Sequence, residues 1–294
     1  MAARKLYQFT AHTLDMKAIV IGGSGFIGSN VALSLDAEKV VYYSRHENEV
    51  LNKKGVEHIT GSVVETEKLQ EAVKQFDMIV YSAGIFNDPQ QTHDDVTLKG
   101  IKAVVDVIRK QDTGQKLIFF SAINTDYGSS EYFRLRRITE DNVNLAKESL
   151  TIKLSNIFGE GDRITGEILK IARSPIHKMP AGKSLAPVGI SDLVKVLQSF
   201  LTYKGTIYVC SKEDISLSSA VNIARNIIGG RPAKGVENKR KIPKLVSKMA
   251  EKVDIPDWRL MDLTLNYYRE NTSLYRSVKD PMKFVDYLKE KAKA

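Results

Sequence analysis

The chain has 294 residues, 43% of them hydrophobic, so it can bury the core of one large domain or of one domain with a small appendage. Its single cysteine, Cys210, excludes an intramolecular disulfide and a cysteine-based metal site, and favours a cytoplasmic protein. No apolar stretch is as long as a membrane span, and residues 1–15 lack the apolar core of a signal peptide. We expect residues 1–15 to form a weakly ordered N-terminal extension.

The net charge of +9 is unevenly distributed along the chain. Residues 1–150 contain 18 Lys and Arg against 20 Asp and Glu, whereas residues 151–294 contain 26 against 15. The densest basic stretch, 231–252, includes Lys239-Arg240-Lys241. This pattern favours a solvated face and leaves open a protein partner or an anionic membrane surface, to which the protein would bind peripherally. Because aromatic residues do not interleave with the basic ones, the stretch carries no specific nucleic-acid signal.

The first half of the chain alternates short apolar runs with helical patterns. The apolar runs predict strands over 17–21, 39–43, 56–59, 77–81, 116–120 and 150–154, and the intervening patterns predict helices over 26–35, 66–75, 92–110 and 131–147. This alternation indicates crossover connections, and therefore a doubly wound parallel sheet of the α/β class with helices on both faces. Further along, the sequence predicts helices over 163–173, 191–202 and 216–228, a strand over 206–210, and amphipathic helices within 243–294.

A glycine-rich loop joins the first predicted strand to the first predicted helix. Gly22 allows a tight turn off the strand, Gly25 allows the backbone to approach a pyrophosphate, and Gly28 allows the helix to pack closely on the sheet. The N–H groups at the positive end of that helix would bind the anion. The predicted dinucleotide contacts in this loop are Gly22, Ser24, Gly25, Phe26, Ile27 and Gly28.

The end of the second predicted strand indicates which dinucleotide is bound. A free ribose 2′-hydroxyl is commonly held by Asp or Glu about 20 residues beyond the glycines, and residues 40–46 contain no acid. Arg45 offers a planar donor fork and Ser44 a hydroxyl, both of which suit a 2′-phosphate. The sequence therefore predicts NADP(H) in preference to NAD(H); the alternative is a solvated Arg45 in a surface turn.

From about residue 16 to residue 230, the chain resembles the extended and atypical short-chain dehydrogenase/reductase superfamily. The glycine loop is similar to that family's nucleotide loop, Gly61-Ser62-Val63 to its Gly-Asp-Val adenine-side motif, and Tyr81-Ser82-Ala83-Gly84 to the strand end that passes the cofactor. Val188 and Asp192 resemble a later Val…Asp element, although Asp192 could instead cap a helix. The resemblance implies further cofactor contacts at Ser62, Val63, Ser82, Ala83, Gly84, Leu154, Ser155 and Ile157.

Within the superfamily, the nearest likeness is to the Rossmann accessory subunit of respiratory complex I and its prokaryotic relatives. The phrase Ser155-x-Ile157-Phe158-Gly159-x-x-Asp162-Arg163, with Tyr132-Phe133-Arg134 upstream, carries this likeness. It implies that bound NADPH has a structural role. The expected domains are a cofactor-binding Rossmann core over 16–160 and a mainly helical substrate-side region over 161–294 that shares part of the sheet.

The resemblance also implies a catalytic tyrosine, a lysine four residues later and a Ser or Thr hydroxyl that polarises the substrate carbonyl. Tyr132 and Arg136 have the required spacing, with Glu140 continuing that helix face, and both are also implied cofactor contacts. Arg136 keeps the positive charge of the lysine but would reach the ribose differently. The usual serine position aligns with Ile123, so Ser121 and Thr125 are imperfect substitutes.

These residues lead to three hypotheses about function. The favoured one is an NADP(H)-dependent oxidoreductase that acts on a small carbonyl or hydroxyl substrate, with Tyr132 as acid/base. The alternative is a non-catalytic NADPH-binding structural or docking subunit of a larger complex. A third, a sugar-nucleotide epimerase or dehydratase, predicts tightly bound NAD, and Arg45 disfavours it. The five histidines show no metal-ligand spacing, so no metal site is expected.

Overall fold

The computed structural model describes residues 15–84, 92, 94–236, 248, 250 and 252–294. The chain forms two compact units. The first comprises the described residues within Met1–Thr125, Glu131–Lys153 and Val194–Ile207. The second comprises those within Asp126–Ser130, Leu154–Leu193 and Tyr208–Ala294. The predicted extension 1–15, except for its last residue, and the run Lys239-Arg240-Lys241 lie outside the described residues.

The described residues contain eleven strands and eleven α-helices. The strands are β1 (Lys17–Ile21), β2 (Lys39–Ser44), β3 (Glu57–Thr60), β4 (Met78–Tyr81), β5 (Lys116–Ala122), β6 (Ser149–Leu154), β7 (Ile157–Phe158), β8 (Lys178–Pro180), β9 (Val188–Gly189), β10 (Gly205–Val209) and β11 (Lys234–Val236). The helices are α1 (Phe26–Ser34), α2 (Glu49–Lys53), α3 (Thr66–Val73), α4 (Gly100–Gln111), α5 (Glu131–Val143), α6 (Arg163–Arg173), α7 (Ile190–Ser199), α8 (Leu217–Ile228), α9 (Asp257–Asp262), α10 (Leu274–Ser277) and α11 (Phe284–Lys293).

The first unit is organised around a seven-stranded sheet with the order β10-β6-β5-β4-β1-β2-β3. The pairs β3–β2, β2–β1, β1–β4 and β4–β5 are parallel, and Ile19 at the centre of β1 lies opposite Val41 on one side and Ile79 on the other. All residues of β4 and β5 are buried, because helices cover both faces of the sheet. The predicted doubly wound fold is therefore confirmed. The strand order reverses between β1 and β4, the place where such sheets bind ligands.

Several predicted elements have different bounds in the structure. The predicted helix 92–110 is a π-helical segment over Asp94–Lys99 that continues into α4. The helix predicted over 131–147 ends at Val143. Helix α2 was not predicted because five residues are too few to show a helical period; the Asn48 side chain starts it by accepting hydrogen bonds from the N–H groups of Val50 and Leu51.

The second unit combines helices with two small sheets. Helices α6 and α11 both pack on α8, and the Phe158 ring packs against Phe284 and Tyr287 with centroids 5.1 and 5.2 Å away. Strand β7 pairs in parallel with β9, and β8 with β11. The mainly helical character was predicted, but strands of two or three residues are too short to show alternation. Among the described residues no helix is long and apolar enough to cross a membrane.

Candidate functional site

The glycine loop between β1 and α1 leaves no space for side chains at two of its three spaced glycines. Gly22 has a φ of +78°, and a Cβ there would lie 2.6 Å from the Cα of Ala83, after β4. A Cβ on Gly28 would lie 2.3 Å from the carbonyl oxygen of Gly22. At Gly25 the nearest atom to a Cβ is the Gly22 oxygen at 3.3 Å. The fold itself therefore requires Gly22 and Gly28, whereas Gly25 keeps space for a ligand.

Helix α1 begins directly after this loop and presents its N-terminus to the cleft. Gly25 is the N-cap residue, so it has no side chain with which to cap the helix, and no side chain of the described residues does so. The first turn also contains no acidic residue. Such an end combines N–H groups without intrahelical acceptors with the positive end of the helix dipole, the arrangement that binds phosphate groups.

One cleft of about 240 Å³ collects residues from the carboxyl ends of several strands in the first unit. Its lining consists of Gly22, Ser24, Gly25, Tyr43, Ser44, Arg45, Gly61, Ser62, Val63, Ser82, Ala83, Gly84 and Val96. Ten of these are predicted cofactor contacts, brought together from segments up to about 60 residues apart in the chain. Tyr43, Gly61 and Val96 were not predicted as contacts. Phe26, Ile27 and Gly28 follow in the first turn of α1.

Tyr43 shapes one wall of this cleft. Its hydroxyl donates a hydrogen bond to the carbonyl of Ser62 at 3.0 Å, while the Ser62 N–H donates to Glu65 Oε2 at 2.7 Å. A Cβ on Gly61 would lie 2.2 Å from the Tyr43 oxygen. Burial, with a smaller contribution from Glu65, raises the pKa of Tyr43 to about 12, so the hydroxyl keeps its proton. No sequence signal separated Tyr43 from the other apolar residues of its strand.

The two residues predicted to bind a 2′-phosphate lie at the end of β2. Arg45 lines the cleft and is exposed. Ser44 is buried, and its hydroxyl donates to the carbonyl of His46 at 2.7 Å. In this structure the Ser44 hydroxyl therefore donates its proton within the turn. From the sequence we expected it to donate to a phosphate oxygen.

The predicted proton donor and its cationic neighbour lie one turn apart on α5. Tyr132 is half-buried, and the guanidinium carbon of Arg136 lies 5.2 Å from its ring centroid. Arg136 also donates to the carbonyl of Phe120, and a Cβ on Gly84 would lie 2.7 Å from its Nη2 atom. Arg136 therefore lies between Tyr132 and the cleft-lining Gly84, with Nη1 bonded to the backbone and Nε buried without a hydrogen-bond partner in the part of the chain that the structure describes.

The hydroxyl groups expected to assist Tyr132 belong to a buried polar network. Ser121 Oγ donates to Glu140 Oε1 at 2.5 Å, Glu140 Oε2 forms an ion pair with Lys153 Nζ at 2.9 Å, and Lys153 donates to Thr125 Oγ1 at 2.9 Å. All four residues are buried, as is Ile123. Ser121 and Thr125 thus serve the interior of the unit. Lys153 was missed, although a lysine within the apolar run 150–154 is a signal for a buried charged partner.

The remaining predicted cofactor contacts belong to the second unit. Ser155 donates from its hydroxyl to the carbonyl of Ala186 at 2.6 Å. Ile157 pairs with Val188 in the short β7–β9 sheet, and Leu154 immediately precedes this segment. In the Val…Asp element, Asp192 Oδ2 accepts a hydrogen bond from the N–H of Met282 at 2.7 Å.

The described residues contain no group of three or more His, Cys, Asp or Glu side chains that could hold a metal ion. His12 and His93 lie outside those residues. His58 is hydrogen-bonded to Ser44 within the first unit.

Comparisons with known proteins agree with this geometry. Residues 22–149 match a protein family described as NAD(P)H-binding. No curated protein matches the chain significantly. Among solved structures, the enzyme WbmG of Bordetella bronchiseptica, in complex with NAD and UDP, has a TM-score of 0.68 at 16% identity, with 93% of each chain covered.

Two further structures share the fold. A short-chain dehydrogenase/reductase superfamily protein of Agrobacterium tumefaciens with bound NAD has a TM-score of 0.68 at 14% identity, covering 94% of this chain and 96% of its own. The UDP-glucose 4-epimerase of Thermus thermophilus, complexed with NAD, has a TM-score of 0.61 at 16% identity, covering 84% and 99%. None of the three is a complex I subunit, so that likeness stays a prediction. Residues 22–149 therefore match a family described as NAD(P)H-binding, and the chain shares its Rossmann-like α/β fold with these solved structures.

Proposed function

We propose that this protein binds NADP(H) in the cleft of the first unit and uses the cofactor as a structural group rather than as a hydride carrier. One observation carries the proposal. The side chains that would assist Tyr132 in hydride transfer, Arg136 and Ser121, make their hydrogen bonds within the protein. Ten of the predicted cofactor contacts line the cleft, which supports cofactor binding in the absence of this catalytic assistance.

Arg45 supports the choice of NADP(H) over NAD(H). It lines the same cleft as Gly22 and Gly25, and residues 40–46 contain no acid that would bind a free 2′-hydroxyl and repel a phosphate. A guanidinium fork can bind a phosphate through two parallel hydrogen bonds. Calorimetry with NADPH and NADH at one salt concentration tests this preference, which equal affinities would contradict.

The surroundings of Tyr132 support a structural role for the cofactor. A tyrosine acts as an efficient acid or base when a cation lowers its pKa and a second donor polarises the substrate carbonyl. Here Nη1 of Arg136 donates to the Phe120 carbonyl, and the Ser121 proton is donated to Glu140. The position that usually carries the hydroxyl holds Ile123, which is fully buried.

Native mass spectrometry and a turnover assay together test this role. We expect NADPH to remain bound through purification in a ratio near one per chain, and NADPH oxidation with a panel of small aldehydes and ketones to stay at the background rate. Loss of the cofactor on simple buffer exchange would contradict a structural role, as would rapid turnover.

A second candidate, an oxidoreductase with Tyr132 as acid/base, is favoured by the contact between Tyr132 and Arg136 beside the cleft-lining Gly84. For this candidate Tyr132→Phe would lower the rate by about 100- to 10,000-fold while NADPH affinity stays nearly constant. A sugar-nucleotide epimerase is suggested by the names of the WbmG complex with NAD and UDP and of the Thermus enzyme. It requires tightly bound NAD, which Arg45 disfavours.

A structural cofactor implies that the protein docks onto something else. The basic second half of the sequence, with Lys239-Arg240-Lys241, would supply the charge that attracts a protein partner or an anionic membrane. Charge reversal of these three residues should abolish salt-sensitive binding to anionic vesicles or to a partner. If the wild type and the charge-reversed variant bound the vesicles or the partner equally well, a solvated basic face would be favoured.

A further inference from the structure

A histidine on the neighbouring strand holds the turn that carries Arg45. His58 on β3 lies opposite Tyr42 on β2, and their rings stack with centroids 4.4 Å apart and planes 16° apart. The Nε2 atom of His58 lies 3.1 Å from the carbonyl oxygen of Ser44 and 3.2 Å from the Ser44 hydroxyl. The ring therefore contacts both the backbone and the side chain of the residue that precedes Arg45.

The partners of the ring determine which nitrogen carries the proton. A carbonyl oxygen can only accept, so the contact with Ser44 O requires a proton on His58 Nε2. In the tautomer that carries its one proton there, Nδ1 is an acceptor, and the Thr60 hydroxyl lies 3.5 Å away. The ring thus donates toward the turn from a fixed orientation.

These contacts hold the carbonyl groups of the residues before and after Arg45. The Ser44 carbonyl accepts from His58 and from the N–H of Gly61 at 3.0 Å. The Ser44 hydroxyl donates to the carbonyl of His46 at 2.7 Å. Arg45 is therefore held between two immobilised carbonyl groups. When an arginine side chain binds a phosphate, it loses conformational entropy. Because the backbone here is already fixed, it loses no further entropy, and the total entropy cost of binding is smaller.

We propose that His58 is a positioning residue for cofactor selectivity: it fixes the Ser44–His46 turn so that Arg45 meets the 2′-phosphate of NADP(H). This inference rests on the proposed NADP(H) preference and adds a second residue to it. His58 need not contact the cofactor, since it acts through Ser44 and Arg45.

Three substitutions separate this role from a general effect on folding. His58→Gln places an amide nitrogen near the position of Nε2 and keeps the donor. His58→Asn places its amide near the position of Nδ1, too short to reach Ser44. His58→Phe keeps an aromatic ring against Tyr42 but has no donor. The dissociation constants for NADPH and NADH are measured for each protein by calorimetry, with the cofactor-free thermal midpoint as a folding control.

We expect the Asn and Phe variants to bind NADPH about 3- to 10-fold more weakly, the factor for one lost hydrogen bond, with NADH affinity unchanged and the Gln variant close to wild type. If the Asn variant does not fold, the Phe and Gln variants carry the test. An NADPH-to-NADH ratio that is unchanged in the donor-less variants would overturn the role of His58 alone, as would equal weakening of both cofactors. A wild type that binds both cofactors equally would overturn the NADP(H) proposal itself.

Discussion

Two regions of the first unit carry the resemblance to dehydrogenases, and they differ in how the site is built. The glycine loop uses backbone groups and missing side chains: positive φ at Gly22, space at Gly25, and N–H groups at the start of α1. The Tyr132 region depends on side chains, and two of them, Arg136 and Ser121, now bond within the protein. A backbone-built binding site persists when surrounding side chains change, whereas chemistry that needs a specific hydroxyl and cation does not.

The largest expected effect concerns the glycine loop between β1 and α1. Gly25→Val should reduce NADPH binding by more than about 1,000-fold, or about 4 kcal/mol, because the added carbons occupy the space of the pyrophosphate. The cofactor-free thermal midpoint should fall only slightly, since a Cβ would make one tight contact, 3.3 Å from the Gly22 oxygen. Gly28→Val is the contrasting variant: its Cβ would meet the Gly22 oxygen at 2.3 Å, so it should also destabilise the fold. If NADPH raised the thermal midpoint of Gly25→Val as much as that of wild type, the predicted loss of NADPH binding would be wrong.

The buried network near Tyr132 should matter for stability. Lys153→Met leaves Glu140 charged and buried without its ion-pair partner, and we expect the free energy of unfolding to fall by about 3–5 kcal/mol. The double variant Lys153→Met/Glu140→Gln removes the orphaned charge and should recover much of that loss. Denaturant unfolding of wild type, both single variants and the double variant measures the coupling. A loss below about 1 kcal/mol in Lys153→Met would show that the network is not structural.

Arg45→Glu tests whether the Arg45 side chain binds the 2′-phosphate, in addition to the contacts made by the backbone of the glycine loop. Loss of the charge-assisted contact should weaken NADPH binding by about 10- to 150-fold, or 1.5–3 kcal/mol, with little effect on NADH. Lys54→Glu, an exposed residue of the same unit, changes the net charge equally and serves as the control. Equal weakening by the two variants would indicate a long-range charge effect without a specific phosphate contact.

Asp262 is a buried carboxyl group of the second unit and can be compared with Glu140, which forms an ion pair with Lys153. Asp262 accepts a hydrogen bond from Ser130 at 3.1 Å, and burial raises its pKa from 3.8 to about 6. Because the folded state binds the proton more tightly, its stabilising contribution is present below pH 4 and is lost as the pH rises through about 6. Asp262→Asn should therefore be more stable than wild type at pH 7 by about 1–2 kcal/mol, and equally stable below pH 4. Thermal unfolding of wild type and Asp262→Asn at both pH values measures this difference in stability. A variant that is less stable than wild type at pH 7 would contradict the prediction.

The smallest effect is expected for Arg136→Lys. The variant loses the hydrogen bond to the Phe120 carbonyl, and the free energy of unfolding should fall by about 0.5–1.5 kcal/mol. Arg134→Lys, an exposed residue paired with Glu131 on the same helix, should show almost no change. If Arg136→Lys instead left stability unchanged and produced measurable NADPH oxidation, Arg136 would be a displaced catalytic cation rather than a structural one.

The sequence alone was enough to predict the sheet and the need for glycine in the loop after β1. Alternating apolar and helical segments follow from burial on both faces of a parallel sheet, and the spaced glycines follow from backbone conformations that a side chain would forbid. Helix α6 has the predicted bounds 163–173, since its Asp162 side chain caps the first turn and its apolar face is regular. Short elements such as α2 and β7 could not be predicted, because five or two residues are too few to show a helical or strand period.

Only the tertiary structure decided what the polar side chains around the cleft do. Ser44, Ser121 and Arg136 were predicted to face a ligand, yet their hydrogen bonds go to His46, Glu140 and Phe120. A sequence shows which donors exist but not which acceptor lies within about 3 Å of each, and that distance depends on packing between segments far apart in the chain. Local sequence thus determined the backbone site, while the role of each side chain was set by the neighbours that folding supplied.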